Sequence, residues 1–414
     1  MGNLYVAYSS NGTTATQGYL RVYGAPVYPA YSGVVTASAI QVAYAGGSTG
    51  YIQQLGGTVT ATDLWLKYNK GTGVGDYYLR GGTLTTTNGY IGTNGRSTFY
   101  HEAGTYNSGV IQLGVYNYTS YGTDSDVAYY NLTGGTVNAS QNFILGYYHQ
   151  ARGHLKMGDA TGATGTISGT GNMIVKNAAH ATGMGIVQGF GDITMTGALT
   201  NNGKVIADGW GGENVSDRTL AMTSFSSIAT VEGSQVAGAG WYAQNRGKLV
   251  LPTLAVAGGS STAYFGEDAA GSQKLVNSMR LAFADVNGGA LGISLLAADN
   301  SETGGIQGNV VGVWKIDGSS FDFGSGNVDL NIRYDSALAL ALGITEADLK
   351  LYHQVNGRWV DVTSGVDTVN KFIAADDVNS FSLFAVGTEI VPEPSTLCLL
   401  GMGLLGLSAR RKRQ

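Results

Sequence analysis

The stretch Gly56-Gly57-Thr58-Val59-Thr60 is the clearest copy of a short pattern that runs through the first half of the chain. In each copy, one or two small residues at a chain corner are followed by a short segment in which apolar and polar side chains alternate. The pattern recurs every two to three dozen residues. The further copies are Gly33-Val34-Val35-Thr36-Ala37, Gly81-Gly82-Thr83-Leu84-Thr85, Ala103-Gly104-Thr105-Tyr106-Asn107 and Gly134-Gly135-Thr136-Val137-Asn138. A period of this length predicts a solenoid of stacked repeats.

Each repeat has a second half. A short apolar run such as Leu64-Trp65-Leu66 follows the pattern, and a Tyr-rich run such as Asp76-Tyr77-Tyr78-Leu79 follows the next glycine turn. Three short strands per repeat and no helical half predict a right-handed parallel β-helix over residues 1–260. One repeat cannot bury its own inward side chains, so it must stack on its neighbours. The period blurs after about residue 160, where the prediction rests on isolated pieces.

Composition narrows the classes of function. The 414 residues include 65 Gly, 25 Tyr and only 5 Pro, with 12% charged residues and a formal net charge of −5. Disordered chains carry more charge and fewer aromatic residues, so this composition predicts a folded, all-β protein. No segment is basic enough to predict a nucleic-acid partner. The single cysteine, Cys398, allows no internal disulfide bond.

Residues 275–388 differ from the repeats, because glycine corners give way to longer alternating strands and the acidic residues concentrate there. Eight predicted strands indicate an antiparallel β-sandwich, with Asn356-Gly357 as a tight hairpin turn and a helical turn at Ser336–Gly343. Trp314 and Trp359 are expected in the core. The predicted strands are Met279–Asp285, Leu291–Leu295, Val310–Asp317, Val328–Tyr334, Leu349–Val355, Arg358–Thr363, Lys371–Ala375 and Phe381–Val386.

The C-terminal residues 391–414 combine three features in a fixed order. Pro392 and Pro394, on either side of Glu393, favour an extended segment that a processing enzyme can grip. Residues 395–409 carry no charge and at ~1.5 Å per residue extend about 22 Å as a helix, a marginal transmembrane length. The basic tail, which is expected to stay on the cytoplasmic side, consists of Arg410, Arg411, Lys412 and Arg413.

This arrangement resembles the PEP-CTERM sorting signal, which exosortase-type enzymes of Gram-negative bacteria recognise. The resemblance implies that Pro392, Glu393 and Pro394 mark the processing site. It also implies an exosortase partner, passage through the inner membrane, and a mature protein at the cell surface or in the extracellular matrix, associated with exopolysaccharide or biofilm. The repeat body resembles the β-helix repeats of autotransporter-like passengers. Because residues 1–6 contain no signal peptide, an export signal is expected upstream of Met1.

Three functions remain open: a structural or adhesive surface protein, a carbohydrate-binding matrix protein, and a polysaccharide lyase or hydrolase on a β-helix scaffold. Hydrolases need paired carboxylates, whereas the acids of the body are scattered and the histidines show no metal-binding spacing. The sequence therefore predicts no enzyme, no cofactor and no metal. Paired tyrosines on strands place one ring inward and one outward, and outward rings could form a ladder for sugars. The tyrosines concerned are Tyr77, Tyr78, Tyr116, Tyr118, Tyr121, Tyr129, Tyr130, Tyr147 and Tyr148.

Overall fold

The computed structural model describes residues 2–8, 16–24, 33–44, 47–68, 73–93, 95–115, 127–147, 152–176, 184–209, 217–229, 238–244, 246–265, 275–304 and 306–392. Within these ranges the protein is all-β, as the sequence predicts. The first nineteen strands are β1 (Leu4–Val6), β2 (Gln17–Val22), β3 (Val34–Val42), β4 (Thr49–Gln54), β5 (Thr58–Leu66), β6 (Gly75–Ile91), β7 (Ser97–Leu113), β8 (Val127–Leu132), β9 (Thr136–Leu145), β10 (Arg152–Met157), β11 (Thr166–Gly169), β12 (Asn172–Val175), β13 (Gly185–Gly189), β14 (Gly191–Met195), β15 (Ala198–Asn201), β16 (Lys204–Ala207), β17 (Thr219–Thr223), β18 (Ser227–Ala229) and β19 (Gly240–Ala243).

These strands form parallel ladders in which each strand pairs with its equivalents one repeat earlier and later. We call them together the repeat stack. One ladder, the first face, joins β2, β4, the start of β6, the start of β7, β8, β10, β13, β16 and β19. The other ladder begins with β1, β3 and β5 and continues through the remainder of β6 and β7 to β9.

The second ladder covers two faces, because its strands bend in the middle. After β9 the strand divides into the separate pairs β11 and β12, β14 and β15, and β17 and β18. We call the part before the bend the second face and the part after it the third face. Each repeat therefore contributes three short strand segments, as the sequence predicts.

Glycine forms the corners between the first and second faces. Gly57, Gly82, Gly104 and Gly135 have φ values of 70°, 76°, 89° and 76°, in the left-handed region that glycine enters without steric cost. A Cβ on Gly57 would also lie 2.2 Å from the carbonyl oxygen of Gly33 in the preceding repeat. Four of the five corners from which the repeat was recognised therefore have the expected conformation, whereas Gly33 does not have a positive φ.

The inward rows hold the hydrophobic core of the stack. On the first face the row passes through Leu20, Ile52, Tyr77, Phe99, Tyr130, Leu155, Val187, Val205 and Trp241. The rings of Tyr77 and Phe99 stack at 5.0 Å between centroids, and those of Phe99 and Tyr130 at 4.8 Å. All three rings are fully buried, so stacking between repeats contributes directly to the core.

Two of these inward tyrosines find polar partners in the preceding repeat. The hydroxyl of Tyr77 donates to Oε1 of Gln54 at 2.6 Å, and the hydroxyl of Tyr130 lies 2.9 Å from Nδ1 of His101. Gln54 and His101 belong to one inward row, two repeats apart. Both pairs satisfy a hydroxyl that would otherwise be buried without a partner, which is costly.

Antiparallel pairing begins at β20, which pairs in parallel with β17 and antiparallel with β23. We call residues 246–392 the antiparallel module. Its strands are β20 (Lys248–Val256), β21 (Gly259–Phe265), β22 (Met279–Val286), β23 (Gly288–Leu296), β24 (Ile306–Asp322), β25 (Asn327–Arg333), β26 (Lys350–Val355), β27 (Arg358–Asp361), β28 (Gly365–Asp367), β29 (Phe372–Val378) and β30 (Leu383–Pro392), with a helix α1 (Ser336–Ala341) and 3-10 turns at Ser301–Thr303 and Glu346–Asp348.

Two sheets make up the antiparallel module. The order β20-β23-β24-β30-β26-β27 continues the sheet of the repeat stack, while β21-β22-β25-β29-β28 forms a separate sheet. Both contribute to one hydrophobic core. The eight strands predicted there are present, and Asn356 and Gly357 turn between β26 and β27 with φ values of 51° and 75°. Trp314 is fully buried and Trp359 half-buried.

Candidate functional site

The sorting segment begins where the last strand of the antiparallel module ends. In β30, Val391 pairs with Gln307 and Pro392 with Ile306, the first residue of β24. The sorting motif is therefore joined to the folded part of the chain without an intervening linker. Glu393, Pro394 and the basic tail Arg410, Arg411, Lys412 and Arg413 lie outside the described residues, as does the uncharged stretch before that tail. Among the described helices, none is long and apolar enough to cross a membrane.

The paired tyrosines divide between core and surface. Tyr77 and Tyr130 are fully buried, whereas their neighbours Tyr78 and Tyr129 point outward and are half-buried. Tyr147 is also half-buried. Alternation along a strand produces this division, because successive side chains lie on opposite sides. Tyr116, Tyr118, Tyr121 and Tyr148 lie outside the described residues.

The outward tyrosines Tyr78 and Tyr129 do not lie in one ladder. Tyr78 is in register with Tyr100 and then Asn131, whereas Tyr129 is in register with Thr98 and His154. The two tyrosines therefore occupy different outward rows of the first face and do not supply the possible ladder for sugars. Sequence alternation assigns a side of the strand but leaves the register between repeats open.

Neighbouring groups also cover the faces of these rings. Tyr78 and Tyr100 stack at 4.5 Å with an interplanar angle of 4°, and the guanidinium of Arg80 lies 5.3 Å from the Tyr78 centroid. The ammonium of Lys156 lies 4.5 Å from the Tyr129 centroid, and that of Lys176 4.2 Å from the Tyr147 centroid. A ring covered in this way offers a sugar less free surface, so these tyrosines serve mainly the packing between repeats.

A different group of aromatic side chains lies on the third face of the first repeats. Its six rings form a continuous chain of contacts, with centroid separations between 3.9 and 5.5 Å. Tyr5 and Tyr8 are 43% and 49% exposed. We call this group the aromatic surface, and it consists of Tyr5, Tyr8, Tyr44, Trp65, Tyr68 and Tyr90.

Two structural features assemble the aromatic surface. One is register, which places Tyr5 opposite Gln41, Gln41 opposite Trp65, and Trp65 opposite Tyr90. The other is a corner residue with positive φ, Ala7, Ala43 or Lys67, directly before Tyr8, Tyr44 or Tyr68 (φ 61°, 54° and 58°). The sequence analysis missed this group. The recurring Val-Ala-Tyr at residues 6–8 and 42–44 was the available signal.

The acidic side chains of the body mostly make structural hydrogen bonds. Oδ1 of Asp63 accepts from the amide of Asn88 at 2.8 Å, and Asp76 accepts from the backbone of Thr98 at 2.8 Å. Burial raises the pKa of Asp76 to about 6 despite that hydrogen bond. Asp217 accepts from the backbone of Ser301. Asp124, Asp126 and Glu213 lie outside the described residues.

The described histidines lie far apart along the chain, in β7, β10 and β26. Burial lowers the pKa values of His101, His154 and His353 to about 4, so all three are neutral at physiological pH. His149 and His180 are outside the described residues. In the part of the chain that the structure describes, no three His, Cys, Asp or Glu side chains come together in a group that could hold a metal ion.

Comparison with known proteins agrees with the reading of the C-terminus. Residues 391–413 match the PEP-CTERM protein-sorting motif. Neither a search of curated proteins nor a search of solved structures found a match for this chain. The matched segment indicates that the chain is exported and sorted by an exosortase-type enzyme, with transient anchoring in the membrane.

Proposed function

We propose that this chain is a structural and adhesive protein of the bacterial cell surface or extracellular matrix that associates with exopolysaccharide. The match of residues 391–413 to the sorting motif carries the proposal. Removal of the chain beyond Pro392-Glu393-Pro394 would leave every described strand in the mature protein, since β30 ends at Pro392. The released product would therefore be the repeat stack together with the antiparallel module.

We further infer that the repeat stack is a right-handed parallel β-helix. Three strand segments per repeat and parallel pairing between consecutive repeats support this inference. Connections between parallel neighbouring strands are right-handed in nearly all proteins, because of strand twist. At ~4.8 Å per repeat, the nine strands of the first face extend about 40 Å, which suits a rod-like spacer. The likeness of this body to autotransporter-like passengers stays a prediction.

The proposal assigns no catalytic activity to the chain. Among the acids that the structure describes, Asp63 and Asp217 are engaged in hydrogen bonds that hold neighbouring strands and loops together. An adhesive role requires only a long, stable surface, which stacked repeats supply. Assays for new reducing ends and for unsaturated products on the cell's own polysaccharide test this point, and turnover in either would overturn it.

The sorting hypothesis is tested in cells by the mass of the C-terminus. We expect the mature wild-type protein to lack Cys398 and the basic tail. Replacing Pro392, Glu393 and Pro394 by Ala should leave a full-length, membrane-retained precursor. Replacing Arg410, Arg411, Lys412 and Arg413 by Gln should lower processing, because cations resist translocation and hold the motif at the outer side of the membrane.

A matched control is Ser395→Ala with Thr396→Ala, which alters two residues beside the motif but keeps the motif and the basic tail. We expect wild-type processing in this variant. A mature wild-type protein that retains Cys398 and the basic tail would show that the segment is only a membrane anchor. Processing of the Pro392-Glu393-Pro394 variant at the wild-type rate would contradict the assignment of the motif.

A further inference from the structure

The aromatic surface combines ring area with an almost complete lack of charge. Its strand segments on the third face are 4–6, 39–42, 63–66 and 88–91, and the one charged residue in these segments is Asp63. The side chain of Lys67, at the adjacent corner, is fully buried. An anionic polymer would find no exposed positive charge in these segments, whereas a neutral ligand would lose no ionic hydration on binding.

Some rings of the aromatic surface meet at large angles, whereas Tyr44 stacks on Tyr68 at 9° and Trp65 on Tyr90 at 23°. The planes of Tyr5 and Tyr44 meet at 83°, those of Tyr5 and Tyr8 at 53°, and those of Trp65 and Tyr68 at 81°. Tyr5 and Tyr8 remain 43% and 49% exposed, so parts of these two rings are uncovered. Uncovered aromatic faces stack on apolar faces of other rings, and tyrosine hydroxyls supply hydrogen bonds at the edge.

Polar groups that suit hydroxyl ligands accompany these rings. Gln41 lies in register between Tyr5 and Trp65, and its Oε1 is buried without a hydrogen-bond partner within the described part of the chain. The carboxylate of Asp63 and the amide of Asn88 form the next outward row on the same face. Neutral amides and one carboxylate provide donors and acceptors without adding a positive field.

We propose that the aromatic surface binds a neutral, hydroxyl-rich polysaccharide chain that runs along the stacking direction of the repeats. Tyr5, Tyr8 and Trp65 supply ring area, and Asp63 and the tyrosine hydroxyls supply hydrogen bonds. This inference rests on the proposed association with exopolysaccharide. It adds the binding site on the protein and the absence of charge on the polysaccharide. Successive rings come from successive repeats at ~4.8 Å intervals, so a polymer can contact several of them at once and gain from multivalent contact.

Binding is measured with the purified full chain by affinity electrophoresis through gels that contain an uncharged glucan, a polyuronic acid or the cell's own exopolysaccharide. We expect retardation by the glucan. The double variant Tyr5→Ala/Tyr8→Ala should bind about tenfold more weakly, because two stacking contacts are lost. Trp65→Ala is a second variant, for which we also expect weaker retardation by the glucan. It replaces the double variant if that protein fails to fold. Thermal denaturation confirms folding in each case.

The matched control is Tyr19→Ala. Tyr19 is 55% exposed and lies on β2 of the first face, outside the aromatic surface, so its removal should leave retardation unchanged. Wild-type retardation that persists in both the double variant and Trp65→Ala would overturn the site and leave the association with exopolysaccharide standing. Retardation by polyuronic acid alone would overturn the neutral ligand class. A wild-type chain that no gel retards would overturn the association itself.

Discussion

In the repeat stack an inward side chain contacts its equivalents in the repeats before and after, whereas in the antiparallel module it contacts residues from a facing sheet. Phe99 illustrates the first arrangement, between Tyr77 and Tyr130. Phe321 illustrates the second, since it meets Phe283 of the other sheet at 5.3 Å. The stack is therefore held together by many similar interfaces between neighbours, whereas packing between two sheets contributes to the core of the module.

The burial of inward side chains differs between the two ends of the described stack. At the C-terminal end the module continues the sheet, and Trp241 and Leu249 are fully buried. In the first repeat, the inward residues Leu4, Leu20 and Val35 are only partly buried among the described residues. An inward row is buried fully where repeats lie on both sides of it, so each repeat depends on its neighbours for stability.

Glycine-to-alanine substitution is expected to give the largest difference in stability between the repeat stack and the antiparallel module. Gly153 belongs to a row of small residues on the first face, Gly18, Gly50, Gly75, Ser97, Ala128, Gly153 and Gly185. A Cβ on Gly153 would lie 2.5 Å from the carbonyl oxygen of Leu113 and 2.7 Å from the backbone nitrogen of Gly146. Gly153→Ala should lower the free energy of unfolding by about 3 kcal/mol, measured by urea denaturation.

The control in the module is Gly365→Ala, where a Cβ would meet nothing within 4 Å. We expect a change of less than about 0.5 kcal/mol there. Equal effects of the two substitutions would contradict the view that backbones of neighbouring repeats approach closely along this row.

A smaller loss of folding stability is expected when the pH is lowered, because buried histidines must then take up protons. Burial lowers the pKa of His101 to about 4, below its ordinary value near 6.5. The unfolded chain therefore binds the proton more readily, and the stability gained by keeping His101 neutral is complete above pH 6.5 and declines as the pH falls towards 4. Between pH 7 and pH 5 this histidine should account for a loss of about 2 kcal/mol, measured by urea denaturation at both values.

His101→Gln provides the comparison, since Gln54 performs the same role for Tyr77 in an earlier repeat. The substitution should reduce the acid sensitivity of the stack. His353 in the module, stacked on Phe384 at 4.2 Å, has its pKa lowered in the same direction, so acid sensitivity should remain there. An unchanged pH dependence in His101→Gln would show that His101 is not the group responsible.

The smallest effect concerns the ion pairs at the junction between the two regions. Glu302 contacts Lys248 of β20 at 2.5 Å and Lys315 of β24 at 2.6 Å. Burial by itself would raise the pKa of Glu302, but both lysines outweigh it and hold the pKa below its usual range. Glu302→Gln should cost about 1 kcal/mol, and less in high salt, as read from thermal and urea denaturation.

Glu102→Gln is the corresponding change inside the stack, where Glu102 pairs with Arg80 at 2.9 Å and both side chains are more exposed. It should cost less than about 0.5 kcal/mol. A larger loss in Glu102→Gln than in Glu302→Gln would mean that the junction contributes less to stability than its ion pairs suggest.

The sequence by itself determined the features that depend on local chemistry. Glycine corners such as Gly57 and Gly82, the Asn356-Gly357 turn and the strands of the antiparallel module follow from conformational preference and alternation, which neighbouring residues decide. The sorting segment could also be predicted from the sequence, because its proline motif, uncharged stretch and basic tail follow one another along the chain.

Only the tertiary structure decided which outward side chains meet. The register between repeats depends on the lengths of the intervening turns, and that register separated Tyr78 from Tyr129 while aligning Tyr5, Gln41, Trp65 and Tyr90. The row of small residues around Gly153 is a further case, because the atoms that would collide with a Cβ belong to an earlier repeat. The alternation of apolar and polar residues predicts which side of a strand a residue occupies. Which residues of neighbouring repeats touch depends on the register in the folded chain.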